Sequence, residues 1–392
     1  MKKKIKLTFL NKDEKKYLNT LNVKQQKHYI KDIYKLYNIN TNNIPFKFKL
    51  IDLHTTDFNK AYLLKLYTLF EKLDQSSQEY FKYKIYFDTI INIPFGIYNT
   101  IDISNCNIND YLIRSKQILN TNIYGHQNTK NIIIQTIGQY ITNPYITGNV
   151  LGLHGSPGVG KTSFVKNISS ILQRPLEIIN LAGAQDVSFL EGHSFTYEGS
   201  KYGKIIETLI KHNTMNPIIF FDEVDKISKT EKGIELENLL INISDITQNY
   251  NFSDKYLQEL NIDLSKILFI FSFNNIESIN PILLNRIFKI SIDNYNIYDK
   301  TIITMEYIIP DLLSQYSFKK HDIIFNKSAV TYIINKYCKK DNGIRNIKQI
   351  LNNILSKIHI IYITNNSNLI NINNTNISFP FTFNKISITY FL

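Results

Sequence analysis

The stretch NVLGLHGSPGVGKTSFVKNISSILQ, residues 149–173, decides the fold. It opens as a short apolar run, bends through Gly155, Gly158 and Gly160, and continues with apolar residues at three- and four-residue steps. Strand, glycine turn and helix are predicted in that order. Gly155-Ser156-Pro157-Gly158-Val159-Gly160-Lys161-Thr162 satisfies GxxxxGK[ST] in full, and Ser163 follows. Glycines there let successive backbone N–H groups converge on phosphate oxygens, and the helix start adds its positive end. Lys161 reaches the β- and γ-phosphates of ATP, and the Thr162 hydroxyl is a ligand for Mg²⁺.

Outward from this loop, LEIINLA (176–182), PIIFFDE (217–223) and ILFIFSFN (267–274) are further short, almost continuous apolar runs separated by helical stretches. Such runs predict a mainly parallel sheet covered on both faces, an α/β fold. The second run ends in Asp222 and Glu223, an acid to hold Mg²⁺ and an acid to polarise the attacking water. Asn274 ends the third run, an uncharged donor suited to holding that water near the γ-phosphate. Only four arginines occur, at 114, 174, 286 and 345, in a chain where Lys supplies most of the positive charge. An arginine kept against that bias is a candidate for its planar fork and fixed charge.

The ends of the chain read differently. No glycine precedes Gly96, and runs such as AYLLKLYTLFEKL (61–73) and YKIYFDTIINIPFG (83–96) have helical spacing, with a break between Asn40 and Pro45. After residue 298 helices are expected at 298–316, 328–340 and 344–363, with short strands at 322–325 and near 386–391. Three units are expected: a helical Lys-rich region at 1–115, an α/β nucleotide-binding unit at 116–297 and a mostly helical lid at 298–392. The 392 residues carry a net charge of +12, and residues 1–100 hold 18 Lys against 9 acids. That excess fits either a solvated surface or contact with DNA or RNA phosphates. Two cysteines, 106 and 338, exclude a disulfide framework and fit a reducing, cytoplasmic setting. No apolar run approaches the roughly 18 residues of a membrane span, and the charges after Lys6 argue against a signal peptide. His154 and His193 have no partners at metal-ligand spacing.

From about 118 to 350 the chain resembles the AAA+ ATPase module of Lon proteases. Tyr124-Gly125, the GSPGVGKTS loop, Gly192-His193, Thr196-Tyr197, Gly199, Gly203-Lys204-Ile205-Ile206, Asn216-Pro217 and FFDEVDK (220–226) fall in the family's order. So do Phe252 to Leu257, Asn274, Pro281 to Arg286 and Gly343-Ile344-Arg345, while YFDTIINIPFG (86–96) is similar to the segment preceding that module. The resemblance implies that Tyr124 and Gly125 border the adenine, Asp222 serves the metal and Glu223 activates water. It implies that Asn274 is sensor 1, Arg286 an arginine finger reaching a neighbour's nucleotide, and Arg345 sensor 2. A finger in trans implies a homo-oligomeric ring, a hexamer in this family, and Tyr197 with Glu198 falls in the loop facing its pore.

The departures shape the functional expectation. The 47 residues after Arg345 contain no Ser–Lys peptidase motif, so no peptidase activity is expected. Some 80 unfamiliar residues replace the family's large N-terminal domain, and the aromatic–aliphatic pair of the pore loop is Tyr197-Glu198 here. The segment at 234–249 also departs from the family. The Lys/Asn/Ile bias is similar to that of proteins of large DNA viruses, which would place the chain in the host cytoplasm or the virion. The expectation is a Mg²⁺-dependent ATPase that remodels or unfolds protein. A nucleic-acid-associated ATPase and a regulatory subunit for a separate protease stay open beside it.

Overall fold

The computed structural model describes residues 12–40, 44–102, 107–144, 146–148, 150–183, 186–197, 199–319, 321–364 and 378–392, with the backbone alone at 33–40. Five helices come first: α1 (Lys12–Thr20), α2 (Val23–Asn40), α3 (Phe46–Ile51), α4 (Asp57–Phe70) and α5 (Gln78–Asn92). Thr56 and Ser77 cap α4 and α5 by accepting the N–H groups of Asn59 and Tyr80, and Ile93-Pro94 ends α5. The expected break after Asn40 falls partly outside the described residues.

β1 (Val150–His154), β2 (Leu176–Asn180), β3 (Ile218–Asp222), β6 (Leu268–Phe273) and β7 (Phe288–Ser291) make one sheet, ordered β2-β3-β6-β1-β7, in which every pairing is parallel. The runs of β1, β3 and β6 form strands buried on both faces, whereas the run of β2 lies at the sheet edge and leaves Ile178 exposed. The two-residue strands β4 (Phe252–Ser253) and β5 (Asn261–Ile262) form a separate antiparallel pair. Side chains alternate across the sheet. Leu151, Leu153, Phe220, Ile270 and Ile290 face α6 (Ile108–Asn122), α7 (Gln127–Thr142), α8 (Lys161–Leu172) and the C-terminal helices. Val150, Ile179, Phe221, Phe269 and Phe271 face the opposite layer. That layer contains α10 (Lys204–His212), α11 (Glu231–Ser244) and α3 to α5, with the short helix α9 (Ser188–Glu191) beside it.

The edge strand β7 was not among the expected elements. It follows α12 (Pro281–Arg286), and three of its four residues are exposed, so it offers no apolar run to read. Beyond it, α13 (Ile297–Ile303) passes through a π turn (Thr304–Ile308) into α14 (Ile309–Gln315). Pro310 has no N–H to return to the carbonyl of Glu306, which accounts for the π turn. α15 (Lys327–Tyr337) and α16 (Arg345–Thr364) complete the helices. The strand expected at 322–325 is β8 (Ile323–Phe325), but its partner is β9 (Phe381–Phe383). Residues 387–390 form a 3-10 turn instead of the expected strand, because Ile388 and Phe391, three apart, both turn inward.

Three side chains of the N-terminal helices hydrogen-bond to one segment, 252–262. Buried Asn59 on α4 exchanges two hydrogen bonds with the backbone of Asn261, at 2.8 and 3.2 Å. The Tyr62 hydroxyl donates to Gln258 at 2.9 Å, and the Tyr86 hydroxyl to the Leu257 carbonyl at 3.0 Å.

A charge cluster ties the sheet edge to α10. Glu177, 6% exposed on β2, meets Lys204 at 3.1 Å, Lys211 at 2.7 Å and His212 at 2.9 Å. Burial pushes its carboxyl up, but the hydrogen bonds from Lys211, His212 and Lys204 outweigh it and hold it down at about 2, below the ordinary 4.5. A depressed carboxylate contributes stability that is present above its unfolded pKa and lost as pH falls through the folded one. Glu177→Gln is therefore predicted to cost roughly 1–3 kcal/mol at neutral pH. In urea titrations the deficit should be constant above pH 5 and shrink between about pH 4.5 and 2; a deficit independent of pH contradicts the assignment.

Candidate active site

The phosphate-type loop leaves β1 at the carboxyl end of the sheet, where open parallel sheets gather their ligands. Its first residue is fixed by packing: a Cβ on Gly155 would lie 2.8 Å from the Ile292 carbonyl oxygen. Gly158 and Gly160 have φ of +79° and +102°, the left-handed region that glycine tolerates best. Gly160 caps α8 without any side-chain acceptor, so the N–H groups of the first turn are left to meet an anion. Val159 points the other way and is fully buried, its carbonyl accepting from the Tyr295 hydroxyl at 3.3 Å. Only its backbone belongs to the loop's binding surface.

A cleft of about 310 Å³ is lined by Pro157, Gly158, Gly160, Lys161, Thr162 and Ser163 from the loop and α8. Asp222, Glu223, Asn274 and Arg345 line it from three other elements. The last four positions have no common sequence neighbourhood with the loop's glycines, yet the fold brings them to one place. The Lys161 ammonium donates to Asn274 Oδ1 at 2.6 Å and to the Ser156 carbonyl at 3.2 Å. Burial lowers its pKa, while Asp222, Asp225 and Glu223 hold it up.

The acids are set by the strand end. Asp222 accepts a hydrogen bond from the Ser272 hydroxyl of the neighbouring strand β6, and Ser272 in turn accepts the Glu223 N–H at 3.2 Å. Glu223 has φ 59° and ψ 45°, a left-handed conformation that costs a non-glycine residue about 1 kcal/mol. The strain turns its carboxylate out of the sheet layer and into the cleft. Asp225 is buried two residues on. Its Oδ2 accepts the Asn275 N–H at 3.2 Å, which fixes the turn beside Asn274.

Arg345 arrives from the far end of the chain. The turn before α16 sits directly on the loop: Ile344 N–H donates to the Gly158 carbonyl at 3.1 Å, and the Asn342 amide to Ser156 Oγ at 3.1 Å. A Cβ on Gly343 would lie 2.3 Å from the Pro157 carbonyl oxygen and 2.6 Å from the Gly158 carbonyl carbon. Lys348, one helical turn after Arg345, also lines the cleft and pairs with Asp311 at 2.9 Å.

Other expected residues lie elsewhere. Arg286 pairs with Asp245 at 2.6 Å, donates to the Ile241 carbonyl at 3.3 Å and lines a separate cavity of about 240 Å³ with Gln135, Gln139 and Val150. It does not reach this chain's own cleft. Tyr124 and Gly125 fall between α6 and α7, and Gly125, at φ +68°, has open space where a Cβ would be. The next residue, His126, packs against Tyr295 with tilted rings 4.7 Å apart, so this turn adjoins the loop through Tyr295. Burial lowers the His126 pKa. Tyr197 is 68% exposed, far out on the loop after α9, and Glu198 lies outside the described residues, as does Cys106. Cys338 is buried, its thiol pushed up to about 11 by that burial. His154 ends β1 beside Phe273.

Ser272, Asp225, Asn342 and Lys348 were not singled out from sequence. Ser272 had a signal, as the one hydroxyl inside an otherwise apolar strand. Thr162 and Asp222, which line the cleft, fit the needs of Mg²⁺: a hydroxyl and a carboxylate are hard oxygen ligands, few enough to leave room for phosphate oxygens and water.

Residues 151–294 match the family described as ATPase family associated with various cellular activities (AAA). The chain is similar to a Lon protease homolog of Acanthamoeba polyphaga mimivirus, with 41% identity over 270 residues, 69% of this chain and 26% of that protein. It is similar to a Lon protease of Porphyromonas gingivalis, with 33% identity over 288 residues, 74% of this chain and 33% of that protein. A mitochondrial Lon protease homolog of Candida albicans is 33% identical over 333 residues, 84% of this chain and 30% of that protein. The chain thus spans about a quarter to a third of the length of these relatives.

The seating of the 342–345 turn gives a test. Gly343→Ala is predicted to lift the turn off the loop and weaken ADP binding about tenfold by calorimetry, about 1.4 kcal/mol, with α-helical content unchanged. Unchanged affinity would mean that the contact has no part in holding nucleotide.

Proposed function

Because this chain carries an AAA-family ATPase module of the Lon type, we propose that it works as a Mg²⁺-dependent, ring-forming ATPase that remodels or unfolds protein. The observation that carries the reading is the convergence of Lys161, Thr162, Asp222, Glu223, Asn274 and Arg345 on one cleft. The proposal keeps the division into a helical region at 1–115, a nucleotide-binding unit at 116–297 and a lid at 298–392.

In this reading Lys161 and the first-turn N–H groups of α8 bind the phosphates, and Tyr124 with Gly125 borders the base. Thr162 and Asp222 hold Mg²⁺, which when bound neutralises charge developing on the phosphates. Glu223 takes the proton from the attacking water. Its bent backbone presents the carboxylate without drawing Asp222 off the metal position, because Ser272 holds the two residues apart by bonding one through its side chain and the other through its N–H. Asn274 orients the water, and Arg345 counters γ-phosphate charge from the lid.

Arg286 has no role in its own cleft, and its fork is preorganised by Asp245 at the molecular surface, 29% exposed. This placement supports a finger offered to a neighbouring copy, and hence a homo-oligomeric ring, hexameric by family likeness. Among the described residues no helix is long and apolar enough to cross a membrane. Tyr197, exposed on its loop, supports a grip on a polypeptide client. Peptidase chemistry has no part in the proposal.

Glu223→Gln should bind ATP normally and lower kcat by roughly 10²–10⁴-fold, the usual contribution of a general base. Mixing Arg286→Ala with Lys161→Ala protein should restore part of the activity, each supplying what the other lacks. Rates that simply add, independent of concentration, would contradict a shared site. Stimulation of hydrolysis by unfolded polypeptide supports the remodelling role, whereas stimulation by DNA or RNA alone transfers the proposal to the Lys-rich N-terminal helices.

A further inference from the structure

The loop that displays Tyr197 leaves the protein after α9 and returns at the start of α10, and its two ends touch. The His193 N–H donates to the Lys201 carbonyl at 3.0 Å. Gly192 and Gly203 are packed so closely that a Cβ on Gly192 would lie 2.9 Å from Gly203 N. Beneath this junction is Asp254, with no exposed surface. Its Oδ2 accepts the Gly203 N–H at 2.7 Å, its Oδ1 the Tyr256 N–H at 2.8 Å, and the Leu257 N–H adds a third bond. The same Cβ on Gly192 would stand 2.7 Å from Oδ1. The adjacent Lys255 does not neutralise Asp254; it pairs with Glu191, while its N–H donates to the Glu191 carbonyl at 2.7 Å. A buried acid satisfied mainly by backbone N–H groups is a costly way to close a turn. What it achieves is a bond to the loop's last residue from a segment far away in sequence.

We propose that Asp254 is a positioning residue that clamps the base of the Tyr197 loop to segment 252–262, and that Lys82 of α5 braces the loop's flank. The first contact makes the loop part of one body with the N-terminal helices, because segment 252–262 is also where Asn59, Tyr62 and Tyr86 fasten α4 and α5. The second is direct. The Lys82 ammonium donates to the Tyr197 carbonyl at 3.3 Å and lies over the Phe195 ring at 4.7 Å. Phe195 is itself wedged among Tyr83, Tyr86 and Tyr256, with ring centroids 5.1, 5.1 and 5.6 Å away. Tyr197 is thereby an exposed side chain on a braced support, suited to pushing on something rather than yielding to it. The inference takes its purpose from the polypeptide-handling reading, but its test does not depend on that reading.

The chain has no tryptophan, so Tyr197→Trp supplies a single reporter on the loop. In that background Asp254→Asn, which keeps one accepting oxygen and turns the other into an NH2 donor, should raise the acrylamide quenching constant roughly twofold and lower the anisotropy, with basal ATP hydrolysis unchanged. Lys82→Ala should shift both readings in the same direction by less, and Lys255→Ala should leave them alone. Readings for Asp254→Asn equal to the reference would overturn the clamp, and so would an equal shift from Lys255→Ala. If Asp254→Asn does not fold, hydrogen exchange of the unsubstituted protein decides. Protection at 203 and 256–257 equal to that of α10 supports the clamp, and fast exchange there overturns it. A shift of the reporter without any stimulation by polypeptide would leave the clamp standing and count against the client.

Discussion

The absence of a side chain at Gly343 governs the arrangement of the site. The turn 342–345 lies so close to the phosphate loop that a single methyl group would collide with three of the loop's backbone atoms. From that contact follow the bonds of Ile344 to Gly158 and Asn342 to Ser156, the start of α16 at Arg345, and the position of Arg345 in the cleft. Tyr295, at the entry to the lid, bonds the Val159 carbonyl and the Asn342 carbonyl, so lid and loop are connected on both sides of Gly343.

Below the loop the controlling element is polar. The two adjacent acids, to which the proposed function gives different tasks, point in different directions through one hydroxyl and one strained backbone. Ser272 holds Asp222 in line with β3, and the left-handed turn at Glu223 swings the second carboxylate outward. Asp225, buried beneath, sets the turn that carries Asn274 to Lys161. Partial burial matters here because it lowers the local dielectric, and charges that cost energy in the empty fold act more strongly on a triphosphate.

Much of this was legible in the sequence. The loop is local, its glycines and lysine adjacent, and the four apolar runs form four parallel strands, three of them buried on both faces and β2 at the edge with Ile178 exposed. The acids at the end of β3 and the asparagine at the end of β6 were readable as strand ends. What escaped was held by three-dimensional contact. Edge strand β7 has no apolar run, β9 pairs across 55 residues with β8, and Asp225 and Asn342 matter only through the backbone groups they meet. Asp254 stood within a motif, but nothing in its neighbours announced that its carboxylate would bind Gly203, 51 positions away.

Central to the proposed function is that Arg345, held in the cleft by the seated 342–345 turn, acts on this chain's own nucleotide. Single-turnover hydrolysis of prebound ATP by Arg345→Ala, started by adding Mg²⁺, tests it most directly. The predicted result is ATP bound at near-normal affinity with the hydrolytic step slowed about a hundredfold, the scale of losing one preorganised charge contact. A hydrolytic step as fast as in the unsubstituted protein would contradict the account.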